Sequence, residues 1–264
     1  MALQLASAPP EFSLLEVIER AKLDCLREGK SPLHKFSLDL VHARVPGVWR
    51  PSALRRCMRR QVYKAARVPK SDMPLDLARQ HLFDRGHLFG AWFAAYVALL
   101  EDRYGFTAVD TEVVLHDSNT GVGGKADVIL VRDGHKYVVE VKSKENASAM
   151  RNIKPSAIDL AQLNDYQRMC SAKAGWLVYF GVDYVDGTKG KTGRTAIQAK
   201  EFFHRFSNSI WTDTEKRVQM LEWFYRDQSK LAPKTSNTFF ECGSCEWKQT
   251  CAQELAPVKI LEPK

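Results

Sequence analysis

The order of elements predicts an α/β or α+β fold: helices first, then strands around a single helix, then a helix and a short cysteine-rich tail. Three observations carry that prediction. Residues from Glu11 to about Arg27 have helical spacing, and Asp76 to Tyr104 forms a longer helical stretch after Pro74, stopped at Gly105. Two β-rich runs, Lys125–Arg132 and His135–Val141, are joined by Asp133-Gly134, a strong signal for a two-residue hairpin turn. A second pair of β-rich runs, Trp176–Val182 and Thr195–Phe203, follows a helix over Ser156–Cys170.

The remaining elements fit between these. Pro51-Ser52 marks the entry to a helix running through Val62 or beyond. Gly86 and Gly90 interrupt the long helix at a cost of about 1 kcal/mol each against Ala, which suggests close approach by another backbone or a kink. Thr107–Leu115 is a strand candidate, and Asp117–Gly124 is rich in turn formers. Asp186–Arg194 is a polar, glycine-containing loop, and Thr214–Gln228 is the last helix before the cysteines. There is no internal repeat and no low-complexity tract. The expected organisation is an N-terminal helical region over 1–105, a core over 106–235 and a cysteine segment over 236–264.

Composition limits what the chain does. With 264 residues, 45% hydrophobic and 27% charged, it buries a real core and is not disordered. Lys and Arg outnumber Asp and Glu by 39 to 31, a net charge of +8, which favours an anionic partner, nucleic acid first and a membrane surface second. The longest apolar run, Leu88 to Leu100, is shorter than the ~20 residues a bilayer span needs. The N-terminus MALQLASAPPEFSLL has no basic region, so neither a secretory nor a transit peptide fits. The expectation is a soluble, cytoplasmic protein.

The hairpin carries the chemistry. If Asp133 and Gly134 form its turn, Arg132 pairs with His135 and partner numbers sum to 267, so Asp127 lies opposite Glu140. Directly opposed residues share a face with Cβ atoms about 4.5–5.5 Å apart, and Lys142 is on that face by period-2 alternation. Two carboxylates opposed in a mostly buried sheet are costly unless neutralised. A shared proton, Lys142 or a divalent cation each supplies a remedy. A hard cation such as Mg²⁺ is held by one or two carboxylates plus substrate phosphates, and it polarises a phosphodiester and activates water. The plain alternative is an edge hairpin with solvated charges.

Cysteines occur at 25, 57, 170, 242, 245 and 251. Without an export signal, a disulfide framework is disfavoured and metal binding competes. Cys242-x2-Cys245-x5-Cys251 is one ligand short of the four that a soft metal wants, so the fourth comes from elsewhere. The alternative is that these are small buried side chains that fall close together. Cys25 and Cys170 read as ordinary buried thiols.

Gly124-x2-Asp127, Glu140-x-Lys142 and Gln162-x3-Tyr166 together resemble the PD-(D/E)xK nuclease superfamily, specifically its RecB-like branch. The Ser52-x4-Cys57-x-Arg59 context and the cysteine tail resemble the iron–sulfur members. These include the CRISPR-adaptation exonucleases, the AddB nuclease domain and phage relatives. The resemblance spans about residues 50 to 255. It implies a restriction-endonuclease-like α/β fold, a mixed central sheet flanked by helices with a C-terminal segment tethered by the cluster. It implies that Asp127 and Glu140, with the Val141 carbonyl, bind Mg²⁺ or Mn²⁺, that Lys142 assists the attacking water, and that Gln162 and Tyr166 position DNA and support the lysine. Cys57, Cys242, Cys245 and Cys251 then ligate a structural [4Fe–4S] cluster, with structural Zn²⁺ as the competing occupant. The family's usual helix histidine is replaced by Gly90, and His87, one turn away, is the substitute candidate.

Arg56, Arg60, Lys64 and Arg67 would form one basic stripe on the helix bearing Cys57, suited to tracking phosphates. The loops Lys144–Lys154 and Lys189–Arg194 flank the expected site. Trp247 and Phe239–Phe240 are candidates for base stacking, with core packing the plainer role. The implied activity is metal-dependent DNA hydrolysis, an exonuclease on ends or single strands. Its partner is a helicase, recombination or CRISPR-adaptation protein, and no membrane is involved. Alternatives are a DNA-binding or assembly module with weak or lost turnover, and a structure-specific endonuclease.

Overall fold

The computed structural model describes residues 12–28, 49–70, 77–144, 150, 152–185, 194–234, 241–243, 245–257 and 259, without the side chains of 77–85, 87, 182–185 and 194–197. In chain order its elements are α1 (Leu14–Arg27), α2 (Pro51–Leu54), α3 (Met58–Ala65), α4 (Leu77–Val97), β1 (Phe106–Asp117), β2 (Val122–Arg132), β3 (His135–Lys144), α5 (Ala157–Cys170), β4 (Ala174–Val185), β5 (Arg194–Arg205), α6 (Asn208–Arg226) and α7 (Lys248–Ala252). They form two compact units, one of 1–44, 77–115 and 125–207 and one of 45–76, 116–124 and 208–264.

The first unit is built on a five-stranded sheet in the order β1-β2-β3-β4-β5. β2 and β3 are antiparallel, β3 and β4 parallel across the α5 crossover, and β4 and β5 antiparallel. Arg132 pairs with His135 and the ladder continues to Val128 opposite Val139, the register expected from the Asp-Gly turn. Asp133 and Gly134 both have positive φ, +49° and +74°, as a type I′ turn requires. The hairpin is not at an edge, because β1 flanks β2 and β4 flanks β3; the solvated-edge alternative is therefore overturned.

Alternation sorts the strand residues onto two faces. Val128, Leu130, Val139, Trp176, Val178 and Phe180 pack with Leu14 and Ile18 of α1 and Phe93 and Val97 of α4. Ile129, Val138, Leu177 and Tyr179 pack with Leu160, Leu163 and Tyr166 of α5. The result is a helix–sheet–helix sandwich in which α5, among the described helices, covers the face that carries Glu140 and Lys142. Ser156 caps α5, its hydroxyl accepting the Asp159 amide at 3.0 Å. Ser171, in a left-handed conformation, ends the helix.

Several elements differ from the sequence expectation. α4 ends before Tyr104: a 3₁₀ turn follows over Ala98–Leu100, and Asp102, Tyr104 and Gly105 then take positive φ. The Tyr104 hydroxyl donates to Asp24 of α1, which anchors that turn. α4 also runs unbroken through both glycines. A Cβ on Gly86 would sit 3.5 Å from Ser143 Oγ, an ordinary contact, and one on Gly90 would meet nothing within 4 Å. The glycine that close approach does require is Gly175 in β4, where a Cβ would lie 2.1 Å from the Val138 carbonyl oxygen.

In the second unit, the helix expected to run from Pro51 through Val62 is two helices broken at Cys57. Cys57 is extended there, and its amide donates to Glu241 Oε2 at 2.9 Å instead of to a helical carbonyl. The break also dismantles the basic stripe. Arg56 precedes α3, Arg67 lies beyond its end at φ +55°, and Arg60 is paired with Glu246 at 2.9 Å. α6 begins six residues earlier than Thr214, and Thr214 is buried within it. Trp49 Nε1 donates to Glu222 of that helix at 2.6 Å.

Two substitutions test this account. Gly175→Ala should lower stability by about 3 kcal/mol, because β3 and β4 must part to admit the methyl group. Gly90→Ala should raise it by up to about 1 kcal/mol through helix propensity alone. Urea unfolding of the two variants beside the wild type would decide both.

Candidate active site

Asp127, the residue before the last observed β2–β3 pair, sits at the head of β2, and its Oδ2 accepts the Val141 amide at 2.7 Å. Glu140 is 2% exposed. Its Oε1 accepts from Lys142 Nζ at 2.6 Å and from Gln162 Nε2 at 2.6 Å. Gln162 in turn accepts from Lys142 at 2.9 Å through its own oxygen. Gln162 reaches the strand because α5 lies over β3 and β4, and Tyr166, one turn on, is 3% exposed in the same apolar cluster. Five expected residues therefore meet at one place: Asp127, Glu140, Lys142, Gln162 and Tyr166.

The electrostatics follow from burial. Desolvation, opposed in part by Lys142 and the Val141 amide, pushes Asp127 up to about 6. Desolvation and the neighbouring Asp127 push Glu140 up to about 8. Burial works against the charge on Lys142, but Glu140, Asp127 and Asp159 outweigh it and hold the ammonium above its usual range. Burial and the two carboxylates hold the Tyr166 phenol well above 10, so it stays protonated. Of the three remedies expected for the carboxylate pair, two operate in the metal-free protein: the Lys142 ammonium on Glu140 Oε1, and a proton that Glu140 keeps up to about pH 8.

Lys142 does not complete the neutralisation. Glu140 Oε2 is buried and makes no hydrogen bond. A buried carboxylate oxygen without a donor costs about 1–3 kcal/mol or more. An oxygen of this kind, close enough to Asp127 to feel its charge, fits a hard divalent cation, which one or two carboxylates hold with substrate phosphates.

Two neighbours escaped the sequence reading. Asp159, one turn before Gln162 on α5, accepts from the Tyr179 hydroxyl at 2.7 Å. That hydroxyl also accepts the Ser156 amide at 3.2 Å, which fixes the start of α5 to β4. The i, i+3 spacing of Asp159 and Gln162 was a usable signal. Tyr179 lies beside Lys142 only through the parallel β3–β4 register, which no local pattern gives. The His87 side chain, residues 145–149 and 151 of the first flanking loop, 189–193 of the second, and Phe239 and Phe240 lie outside the described residues.

In the second unit Cys57, Cys242, Cys245 and Cys251 line one small cavity of about 50 Å³ with Arg59, Tyr63 and Trp247. Among the described residues, no three His, Cys, Asp or Glu side chains converge tightly enough to hold a single ion. Four sulfurs around a common cavity nonetheless fit the donor set of a thiolate-bound metal or cluster. Arg59 Nη1 donates to Cys251 Sγ at 3.6 Å, and its Nε to the Ala232 carbonyl at 2.7 Å. Trp247 is 2% exposed and donates to the Val68 carbonyl; it is core, not a base-stacking platform. Cys25 is buried and Cys170 half-buried, both apart from this cavity.

A sequence profile of the PD-(D/E)XK nuclease superfamily matches residues 33–252. Among solved structures, SSO0001 is similar with a TM-score of 0.47 and 20% identity over 91% of this chain and 98% of its own. An alkaline exonuclease from Laribacter hongkongensis has a TM-score of 0.40 and 14% identity over 66% of this chain and 84% of its own. No curated protein matches. No helix among the described residues is long and apolar enough to cross a membrane.

The raised carboxylates set a pH dependence for the metal-free protein. Between about pH 4.5 and 8 the folded state keeps protons that the unfolded state has released, so stability falls as pH rises through that window. The fall should be on the order of 6 kcal/mol, and Glu140→Gln should remove most of it. Urea unfolding in EDTA at the two ends of the window is the check.

Proposed function

The chain belongs to the PD-(D/E)XK nuclease superfamily, and from that premise we propose that it is a Mg²⁺- or Mn²⁺-dependent deoxyribonuclease, an exonuclease acting at DNA ends or on single strands. The observation that carries the catalytic part is the unpartnered, buried Glu140 Oε2 beside Asp127, within a cluster that otherwise satisfies its polar atoms. Asp127 and Glu140 would hold the cation, with the Val141 carbonyl as a further ligand and His87 as the candidate from α4. When bound, the cation supplies Lewis-acid polarisation of the phosphodiester and a more acidic water.

The protein's own groups do the rest. Lys142, kept protonated by its carboxylate neighbours, places a positive charge beside the attacking oxygen and the developing phosphorane charge. Gln162 fixes Lys142 and Glu140 in one geometry by bonding both. Tyr166, held neutral and buried on the same face, supports Gln162 and through it Lys142, which is how it would help to position DNA.

The four cysteines would hold a [4Fe–4S] cluster whose role is structural, since it lies in a different unit from the carboxylates. Support comes from the shared cavity and from the likeness of the cysteine spacing to iron–sulfur nucleases. Residues 106–235 are then the nuclease core, 1–105 contribute Cys57 and α4, and 236–264 carry the other three cysteines. Reduced thiols of this kind suit a cytoplasmic setting. A helicase, recombination or CRISPR-adaptation protein is the expected partner.

End-labelled single- and double-stranded DNA, incubated with anaerobically purified protein, tests the reading. Cleavage with Mg²⁺ or Mn²⁺ should vanish in EDTA and with Glu140→Gln, and Lys142→Ala should lower kcat by about 100-fold or more. Release of label as mononucleotides marks an exonuclease and gives its polarity; internal fragments mark an endonuclease. DNA binding without cleavage by fully loaded protein would leave only the binding-module alternative. Iron and acid-labile sulfide at roughly four each per chain are expected for the cluster, and zinc without sulfide would replace it.

A further inference from the structure

The first unit holds a second concave surface that the carboxylate site does not use. A cleft of about 790 Å³ opens where β2 ends and β3 and β4 begin. Arg132, Lys136, Lys173 and Arg205 line it with a single acid, Asp133, and its apolar floor is Phe12, Tyr137 and Phe203. Several cations elsewhere are compensated, Arg60 by Glu246, Arg103 by Glu28, Lys230 by Asp227 and Lys234 by Glu254. Among the described residues, Lys136, Lys173 and Arg205 have neither an ion pair nor a side-chain hydrogen bond. Arg132 reaches only Asp133, at 3.4 Å, and lies over the Phe12 ring at 4.0 Å.

The backbone that carries these charges is fixed. Lys136 follows the type I′ turn directly. Ser171, the left-handed cap of α5, donates its amide to Arg168 at 3.2 Å, and the Lys173 carbonyl accepts the Phe206 amide at 2.8 Å next to Arg205. Like charges held together on rigid turns repel one another, and a polyanion relieves that repulsion while losing little of its binding to ordering of the protein.

We propose that this cleft is a second DNA-binding site, which grips phosphates of the substrate away from the point of cleavage. It rests on the nuclease reading for the identity of the polyanion. Lys136 lies on the same face of β3 as Glu140, four residues away, so the two sites are about 13 Å apart along the strand. That separation is roughly four base pairs of duplex. The cleft therefore holds DNA flanking the scissile bond and acts on substrate affinity.

The test is DNA binding in EDTA, where no cleavage intervenes, by anisotropy of a labelled oligonucleotide between about 50 and 200 mM salt. The charge-reversed protein Lys136→Glu, Lys173→Glu, Arg205→Glu should bind at least about tenfold more weakly at the low-salt end. Its log–log salt slope should be shallower by about 2.7 on duplex or about 2 on a single strand. The neutral triple variant, with Gln at the same positions, should show the same loss of slope with a wild-type melting curve, which carries the test if the reversal impairs folding. Wild-type slope and affinity in the Gln variant would overturn the proposal. So would intact DNA binding with lost binding to phosphatidylserine vesicles, which would assign the cleft to a membrane surface. Wild-type protein that binds with the full slope but never cuts with Mg²⁺ would refute the nuclease reading and leave the cleft standing.

Discussion

Burying Glu140 is the constraint from which the site's other features follow. A carboxylate 2% exposed in the middle of a sheet is affordable only with donors on its oxygens and positive charge nearby. Lys142 supplies the charge from two residues along the same strand, and Gln162 supplies the second donor from α5. Those needs fix other features in turn. α5 has to lie over β3 with Gln162 facing inward, and the Tyr179 hydroxyl, bonded to Asp159 and to the Ser156 amide, sets where that helix begins. What remains unpaired is Glu140 Oε2, so the cost is offset on one oxygen and left open on the other.

Further along α5 the same helix is locked to β5 by purely neutral groups. Asn164 donates to the Ser207 carbonyl at 3.2 Å and accepts the Ser207 amide at 2.7 Å, while Gln167 donates to the His204 carbonyl at 3.0 Å. His204 is buried against Asn164 and its basicity falls to about 4, so it is an uncharged hydrogen-bonding group at neutral pH. The contrast along one helix is physical: Asp159, Gln162 and Tyr166 face the charged groups of the site, and the Asn164 and Gln167 side chains satisfy backbone groups without adding charge. Precise placement of Gln162 depends on both.

Local chemistry explains which parts were legible in the sequence. Asp133-Gly134 admits one turn geometry, and that turn determines every β2–β3 partner, so the position of Asp127 relative to Glu140 follows from the chain's local chemistry alone. Lys142 followed from alternation, and the Gln162–Tyr166 face from helical spacing. The break at Cys57 could not be read, because the signal is a bond from its amide to Glu241, 184 residues away. For the same reason the basic stripe through Arg56 and Arg67 was an artefact of assuming one helix. The unpaired cleft was illegible too, since Arg132, Lys173 and Arg205 come from three separate strand or turn ends that only the sheet order brings together.

The cysteine cavity repeats, with different atoms, the logic of the carboxylate site. Arg59 is 7% exposed and makes no ion pair with a carboxylate among the described residues, so its charge faces the sulfur of Cys251 and the carbonyl of Ala232. A buried guanidinium without a counter-charge costs several kcal/mol, and sulfur bears negative charge as a thiolate or as a metal ligand. Tyr63 points the same way: burial and the surrounding cysteines push its hydroxyl up to about 12, so it contributes a neutral donor, to the Leu255 carbonyl. The described wall of the cavity thus offers four sulfurs the buried Arg59, the further cations Arg60, Lys234 and Lys248 and a neutral hydroxyl, with Glu241 as its acid, bonded to the Cys57 amide. Burial nonetheless pushes the Cys242 and Cys245 thiols up, so those sulfurs resist ionising without a bound cation, as the buried carboxylates Asp127 and Glu140 do.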